Sequence, residues 1–505
     1  MDEIGTVISS LEGPSPTRFS FVVREGSEPM PVRKDQFVKV DCEEGTLIAR
    51  VVDLRKTNRY FARAESVKEY ERGGSTLSAL FPTDRWEFLV GDAVPLGVLR
   101  EGVQRPSFPP SPGSKVTLAD SETLRTFLGI ETDGIHIGSV AHHDLDARLN
   151  LTRLFQKHIA ILALSGAGKS YLTTVLMEEL LSRPAGKGRV ALVVLDSHGE
   201  YTSLGQADDP VGAGKVTVVG GDDYRIAVPK LSAFGIAEYI PRMSSAQRRE
   251  LSRVIARARE EKRGKYDLAD LIELVRTDET IHENIVPALV GWLNDLNATG
   301  LFAKKDRPSL KRLVKPGKAV ILDLSPLTNL RAKQIIVTHV SRTIFKLRQR
   351  GEVCPYVQVV EEAHNYVPEG EAREWALSRS IIQKIAREGR KFYAGLCLIS
   401  QRPIQLSTTA LSQCNTHIIL RVTNPYDLDH IGRSSEGISR EVLNTISSLR
   451  VGEALVVGAA VNYPAFIKVR RRRSSEPSHA RGLEDAASDY ENGVEISERD
   501  VDAFM

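Results

Sequence analysis

The stretch AILALSGAGKSYL, residues 160–172, decides the fold. Its first half is apolar without alternation, as expected of a strand covered on both faces. A glycine turn follows, and Leu172, Val175, Leu176 and Leu180 then recur at helical spacing. In SGAGKS, Gly166 and Gly168 allow left-handed turns that aim successive N–H groups inward, and the positive end of the next helix completes an anion cradle. Backbone and side chains from Ser165 through Gly166, Ala167, Gly168, Lys169, Ser170 and Tyr171 are therefore expected to bind a nucleoside triphosphate. Lys169 would reach the β- and γ-phosphates, and the Ser170 hydroxyl would sit on Mg²⁺. Ala163 stands where the full P-loop pattern has its first glycine, and a methyl group at a strand end costs little.

Further apolar runs surround this one: VALVVLD, KVTVVG, KAVILDLS, YVQVVEEA, AGLCLISQ, THIILRV and GEALVVG. Several lack alternation and are separated by helical patterns, which predicts a doubly wound α/β ATPase core over residues 151–470. About 230–315 reads as a helical insertion. Residues 1–105 differ: TRFSFVVR, DQFVKVDC and GTLIARVVDL alternate with period two, so a small β-barrel or sandwich is expected. The proline-rich RPSFPPSPGS opens a connection over 106–150, and residues 471–505 form an acidic, polar tail after Arg470–Arg473.

The bulk composition is that of a water-soluble globular chain, 41% hydrophobic and 26% charged. The opening residues are acidic with no apolar run behind them, and no stretch approaches the roughly 18 apolar residues that span a bilayer, so a cytoplasmic protein without membrane contact is expected. Cys42, Cys354, Cys397 and Cys414 show no paired spacing and read as buried thiols. A net charge of +3 is too small to announce nucleic-acid binding, so any basic surface must be local. Residues 299–312 and 331–350 are the basic stretches available.

Hydrolysis needs carboxylates beside the phosphates. YVQVVEEAHNY supplies Glu361 and Glu362 at the end of one apolar run. Adjacent strand residues point to opposite faces, which assigns Glu361 to the water shell of Mg²⁺ and Glu362 to the attacking water. Asp196 and Gln401 also end parallel strands, at the edge where open α/β sheets bind ligands. In IAREGRKF, Arg387 and Arg390 are three apart on a predicted helix and so share a face. If Arg390 stabilises phosphoryl charge in another copy, the site lies between protomers. His158, His198 and His364 lack metal-ligand spacing and read as structural or supporting groups.

Together IHIGSV, KHIAILALSGAGKS, DSHGEY, VVEEAH, IAREGRKF, ISQRP and VGEALVVG, in this order, resemble the HerA family of the HerA/FtsK group of DNA-pumping ATPases. The resemblance implies a homohexameric ring with an N-terminal HAS-type barrel, a RecA-like motor domain and a C-terminal segment that braces the next subunit. It implies ATP-driven translocation on double-stranded DNA with a NurA-type nuclease in DNA-end resection. It further implies Lys169 and Ser170 as nucleotide and Mg²⁺ ligands, Glu362 as catalytic carboxylate, Gln401 as γ-phosphate sensor and Arg390 as trans finger. Lys157 stands where the family usually has an arginine with a second trans-acting role at the nucleotide, and lysine lacks that residue's bidentate fork. Two other readings are a related ring ATPase in phage defence or DNA transfer, and a nucleotide-gated scaffold that activates a nuclease.

Overall fold

The structure, a computed structural model, describes residues 3–9, 13–24, 32–58, 61, 64–72, 86–435, 438–476 and 483–491. The chain divides into two compact units, one of residues 1–134, 138–148 and 461–468, the other of residues 135–137, 149–460 and 469–505.

In the first unit, β1 (Glu3–Ile8), β2 (Phe19–Val23), β3 (Phe37–Cys42), β4 (Gly45–Asn58), β5 (Glu87–Leu99), β6 (Val103–Gln104) and β7 (Lys115–Leu118) form one sheet. Its order is β2-β1-β7-β3-β4-β5-β6, and a further β2–β5 pairing closes six of these strands into a barrel. Alternate residues such as Phe19, Phe21, Val38, Val40 and Val116 fill the interior. Gly91 is needed there, because a Cβ would lie 2.5 Å from the Phe21 ring. The boundary expected near residue 105 is displaced: the proline-rich stretch interrupts the barrel, and β7 returns between β1 and β3. Prolines end a strand, but they did not reveal that the next four residues would form another. A helix, Ser121–Leu128, is capped by Asp120, whose side chain accepts from the Thr123 N–H, and buries Leu124, Phe127 and Leu128. β8 (Ile135–Val140) and β9 (Asp146–Leu149) follow.

In the second unit the strands are β10 (Ile159–Leu162), β11 (Ala191–Asp196), β12 (Val216–Gly220), β13 (Ile226–Ala227), β14 (Phe302–Ala303), β15 (Ala319–Asp323), β16 (Tyr356–Val360), β17 (Ala394–Ser400), β18 (Thr416–Ile419) and β19 (Glu453–Gly458). β20 (Ala465–Val469) lies beside β8. The main sheet runs β12-β15-β11-β16-β17-β10-β18-β19, parallel up to β18, with β19 antiparallel. Every residue of β10, β11, β16 and β17 is buried, which is why those runs show no alternation. The registers Leu162↔Ser400, Leu195↔Val360 and Val360↔Leu398 bring four strand ends to one edge. That edge is where the P-loop, Asp196, Glu361 and Gln401 emerge.

Between β13 and β14 the chain is helical over Ala233–Ala237, Ser245–Glu261, Leu268–Thr277 and Val286–Asn297, and a short helix, Leu310–Leu313, follows β14. Ser244 and Gln247 form a capping box at the start of the longest, which buries Leu251, Val254, Ile255 and Ala258 on one side. All four cysteines are free thiols, Cys397 and Cys414 buried and Cys42 and Cys354 half-buried. Among the described residues, no helix is long and apolar enough to cross a membrane.

Candidate nucleotide site

The P-loop turns as its glycines require: φ is +74° at Gly166 and +97° at Gly168. Ala163 continues the ladder by donating to the Ser400 carbonyl at 3.2 Å, so the missing first glycine leaves the loop intact. The helix Lys169–Ser182 then starts with no side-chain cap, leaving its first N–H groups for an anion.

Carboxylates converge on Lys169 from two loops. Its ammonium pairs with Glu362 and lies 3.9 Å from Glu361 Oε1. Burial works against the charge, but Glu361, Glu362 and Glu200 outweigh it and hold the lysine above its ordinary pKa. The assignment of Glu361 and Glu362 to opposite faces does not hold. β16 ends at Val360, and Glu362 takes a left-handed φ of +47°, so the chain turns and both side chains reach the same lysine. Glu361 is wholly buried; its Oε2 accepts from the Ser197 N–H at 2.9 Å, while Oε1 has no hydrogen-bond partner. Burial, reinforced by Asp196 and Glu200, pushes its pKa well up. On the other side of Glu362, His364 Nδ1 lies 3.3 Å from Oε2, an oxygen with no hydrogen-bond partner among the described residues, and 3.1 Å from Ser400 Oγ.

Asp196 is turned into its own loop. Its carboxylate is fully buried and accepts from the backbone N–H groups of Gly199 at 2.9 Å, Glu200 at 3.1 Å and Tyr201 at 2.9 Å. It is spent on holding this loop, as an aspartate two to five residues before free N–H groups readily does. The loop delivers Glu200, which the sequence reading missed and which accepts from the Ser170 hydroxyl. The one signal was its place in DSHGEY, four residues beyond a strand-ending aspartate.

The family model described as "Helicase HerA, central domain" matches residues 135–344. A "DNA double-strand break repair helicase HerA" of Pyrococcus furiosus is 28% identical over 424 residues, which cover 71% of this chain and 73% of that protein. A probable DNA double-strand break repair helicase HerA of Methanocaldococcus jannaschii is 29% identical over 450 residues, 76% of this chain and 85% of its own. The chain is thus similar to HerA helicases over most of its length. A solved structure, VirB4 of Thermoanaerobacter pseudethanolicus, superposes with a TM-score of 0.53 at 16% identity, covering 67% of this chain and 97% of VirB4, and so shares the fold.

The remaining expected site residues separate into two groups. Gln401 follows Ser400 at the P-loop edge, and its amide has no partner among the described residues. Lys157 and Arg390 do not join it. Lys157 precedes β10, at the opposite end of the strand from the P-loop. The helix Arg379–Glu388 stops short of Arg390, which stands instead in a 3₁₀ turn, Gly389–Phe392, before β17. It is exposed and without a carboxylate partner among the described residues. His158 connects the two elements: its Nδ1 accepts from the Leu396 N–H at 3.0 Å and its Nε2 donates to the Ala386 carbonyl at 2.9 Å. Burial lowers its pKa to about 4, so the ring is neutral.

The Tyr171 hydroxyl accepts from the Arg472 N–H at 2.8 Å. The chain after β20 thus packs on its own P-loop helix. Buried Glu178 accepts from Arg470 Nη1 at 2.8 Å, from the N–H groups of Arg473 and Ser474 at 2.8 Å, and from Ser474 Oγ at 2.7 Å. Of the tail expected over 471–505, residues 477–482 and 492–505 lie outside the described residues. Some of the basic stretches' charge is paired within the fold: Lys304 pairs with Asp267 and Asp270, Lys311 with Glu352, and Arg342 with Glu238.

Proposed function

We propose that this chain is an ATP-driven motor on double-stranded DNA, acting in the cytoplasm as a hexameric ring with a NurA-type nuclease in DNA-end resection and break repair. Its relatives named as break-repair helicases support the process. The observation that carries the ring is the position of Arg390. The phosphate cradle lies at the C-terminal edge of the parallel sheet and the arginine at the N-terminal edge. β17 alone, seven residues long, spans roughly 23 Å. An arginine at that distance serves a nucleotide held by another copy.

In this reading Lys169 binds the β- and γ-phosphates of ATP, exchanging its pairing with Glu362 for the phosphate oxygens. Glu362, released, accepts the proton of the attacking water while ADP leaves, with His364, itself bonded to Ser400 Oγ, 3.3 Å from its carboxylate. Gln401 contacts the γ-phosphate and the water. The oxygen-only donors Ser170, Glu200 and Glu361, the last with an unpartnered buried oxygen, suit Mg²⁺ through its water shell. Bound there, the ion would neutralise charge on the phosphates.

Mixing Arg390→Ala with Glu362→Gln protein tests the reading. Each variant alone should be inactive, and mixed assemblies should recover ATP turnover on duplex DNA. Absence of recovery, or full activity in a monomer, overturns the interfacial site.

A further inference from the structure

A cavity of about 820 Å³ opens between the helical insertion and the segment that follows Glu362. Its walls include Arg242 and Trp292 from the insertion, Leu330 and Arg331 at the start of the helix Leu330–Gln349, and Trp375. Two of the three tryptophans of the chain therefore face one cavity. Trp375 is 57% exposed, and Leu330, at 45%, is the other large apolar side chain left open there. Leaving an indole this open forgoes burial that the fold could use, so the platform is available to something outside the chain.

The polar groups narrow the choice. The Arg242 guanidinium lies 4.7 Å from the centre of the Trp375 ring and has no carboxylate partner among the described residues. Arg331 donates only to the Tyr239 carbonyl, at 3.3 Å. Of the two acidic residues on the rim, Glu369 is occupied by the N–H and hydroxyl of Thr408, leaving Glu371 alone exposed. With Arg242 lying over one face of the ring and the indole still 57% exposed, the open part of the ring together with this guanidinium complements a planar base joined to a phosphate.

We propose that this cavity binds an unpaired nucleotide of a DNA strand, its base stacked on Trp375 and its phosphate held by Arg242. The proposal rests on the motor reading and adds to it a contact with a separated strand. Occupancy has a direct route to hydrolysis. His364 lines the same cavity and stands against Glu362, and Gln334, also in the wall, donates to the Asn365 carbonyl at 2.9 Å.

The test is anisotropy of a labelled oligothymidylate and of a blunt duplex of equal length, titrated with the full chain. Trp375→Ala should weaken the single strand by about tenfold or more while duplex affinity stays put, and Trp375→Phe should restore most of the loss. Equal affinity of wild type and Trp375→Ala for oligothymidylate overturns the proposal. So does a change in oligomeric state with single-strand affinity intact, which would give the cavity to a second copy of the chain. Binding of duplex but not oligothymidylate by wild type defeats the proposal and spares the motor reading. Binding of neither defeats both.

Discussion

Lys169 and Arg390 stand at opposite edges of one parallel sheet, the lysine just past the end of β10 and the arginine just before the start of β17. Arg390→Ala should therefore leave ATP affinity nearly intact and lower turnover by about 10³-fold, the usual worth of a phosphoryl-stabilising arginine. Equilibrium binding of a fluorescent ATP analogue alongside steady-state hydrolysis separates the two. A loss confined to binding contradicts the assignment.

Lys169 is also a structural counter-ion. Lys169→Ala should abolish hydrolysis, and it should also destabilise the second unit by roughly 3 kcal/mol, because it strands Glu361 and Glu362 in a buried site. Adding Glu361→Gln should return part of that stability without returning activity. Thermal melts of the three proteins in the absence of nucleotide give the coupling. Additive losses would show that the lysine and Glu361 do not interact.

Acid should weaken the second unit through His158. Its pKa is lowered to about 4 by burial, below the ordinary 6.5 of an unfolded histidine. The unfolded chain thus binds the proton first as pH falls. The stabilising contribution is complete above pH 6.5 and is lost progressively towards pH 4, amounting to about 2 kcal/mol by pH 5. His339 and His417, also lowered to about 4, add in the same direction. Melting temperature against pH, compared between wild type and His158→Gln, should show a shallower fall for the variant between pH 6.5 and 5. Parallel curves would refute this.

Glu178→Ala should free the segment that follows β20. It removes the acceptor for Arg470, for two backbone N–H groups and for the Ser474 hydroxyl together. Limited trypsin digestion should then cut rapidly after Arg471, Arg472 and Arg473, bonds that wild type protects. Unchanged digestion would mean that the ion pairs of Arg470 and Arg473 with Glu179 suffice on their own.

The residues legible in the sequence are those whose roles are local. The P-loop announces itself through glycines a few positions from Lys169, and the buried strands through unbroken apolar runs. Glu361 and Glu362 were identifiable as carboxylates at a strand end, but their common direction depends on a left-handed turn at a non-glycine residue, which no spacing reveals. Glu200 meets Ser170 across thirty positions of sequence, between loops of strands that are not neighbours in the sheet. Pairing within the basic stretches is equally hidden, since the acids that balance Lys311 and Arg342 lie 41 and about a hundred residues away.

The fastening of Arg470, Arg473 and Ser474 to Glu178 has a practical side. The segment after β20 is tied both to the rod that begins with the phosphate-gripping lysine and, through Ser475, to Asp209, so a tilt of that rod on filling the pocket would strain the segment between two anchors. A dye attached near residue 476 would act as a gauge of what the pocket holds, read from outside without touching it.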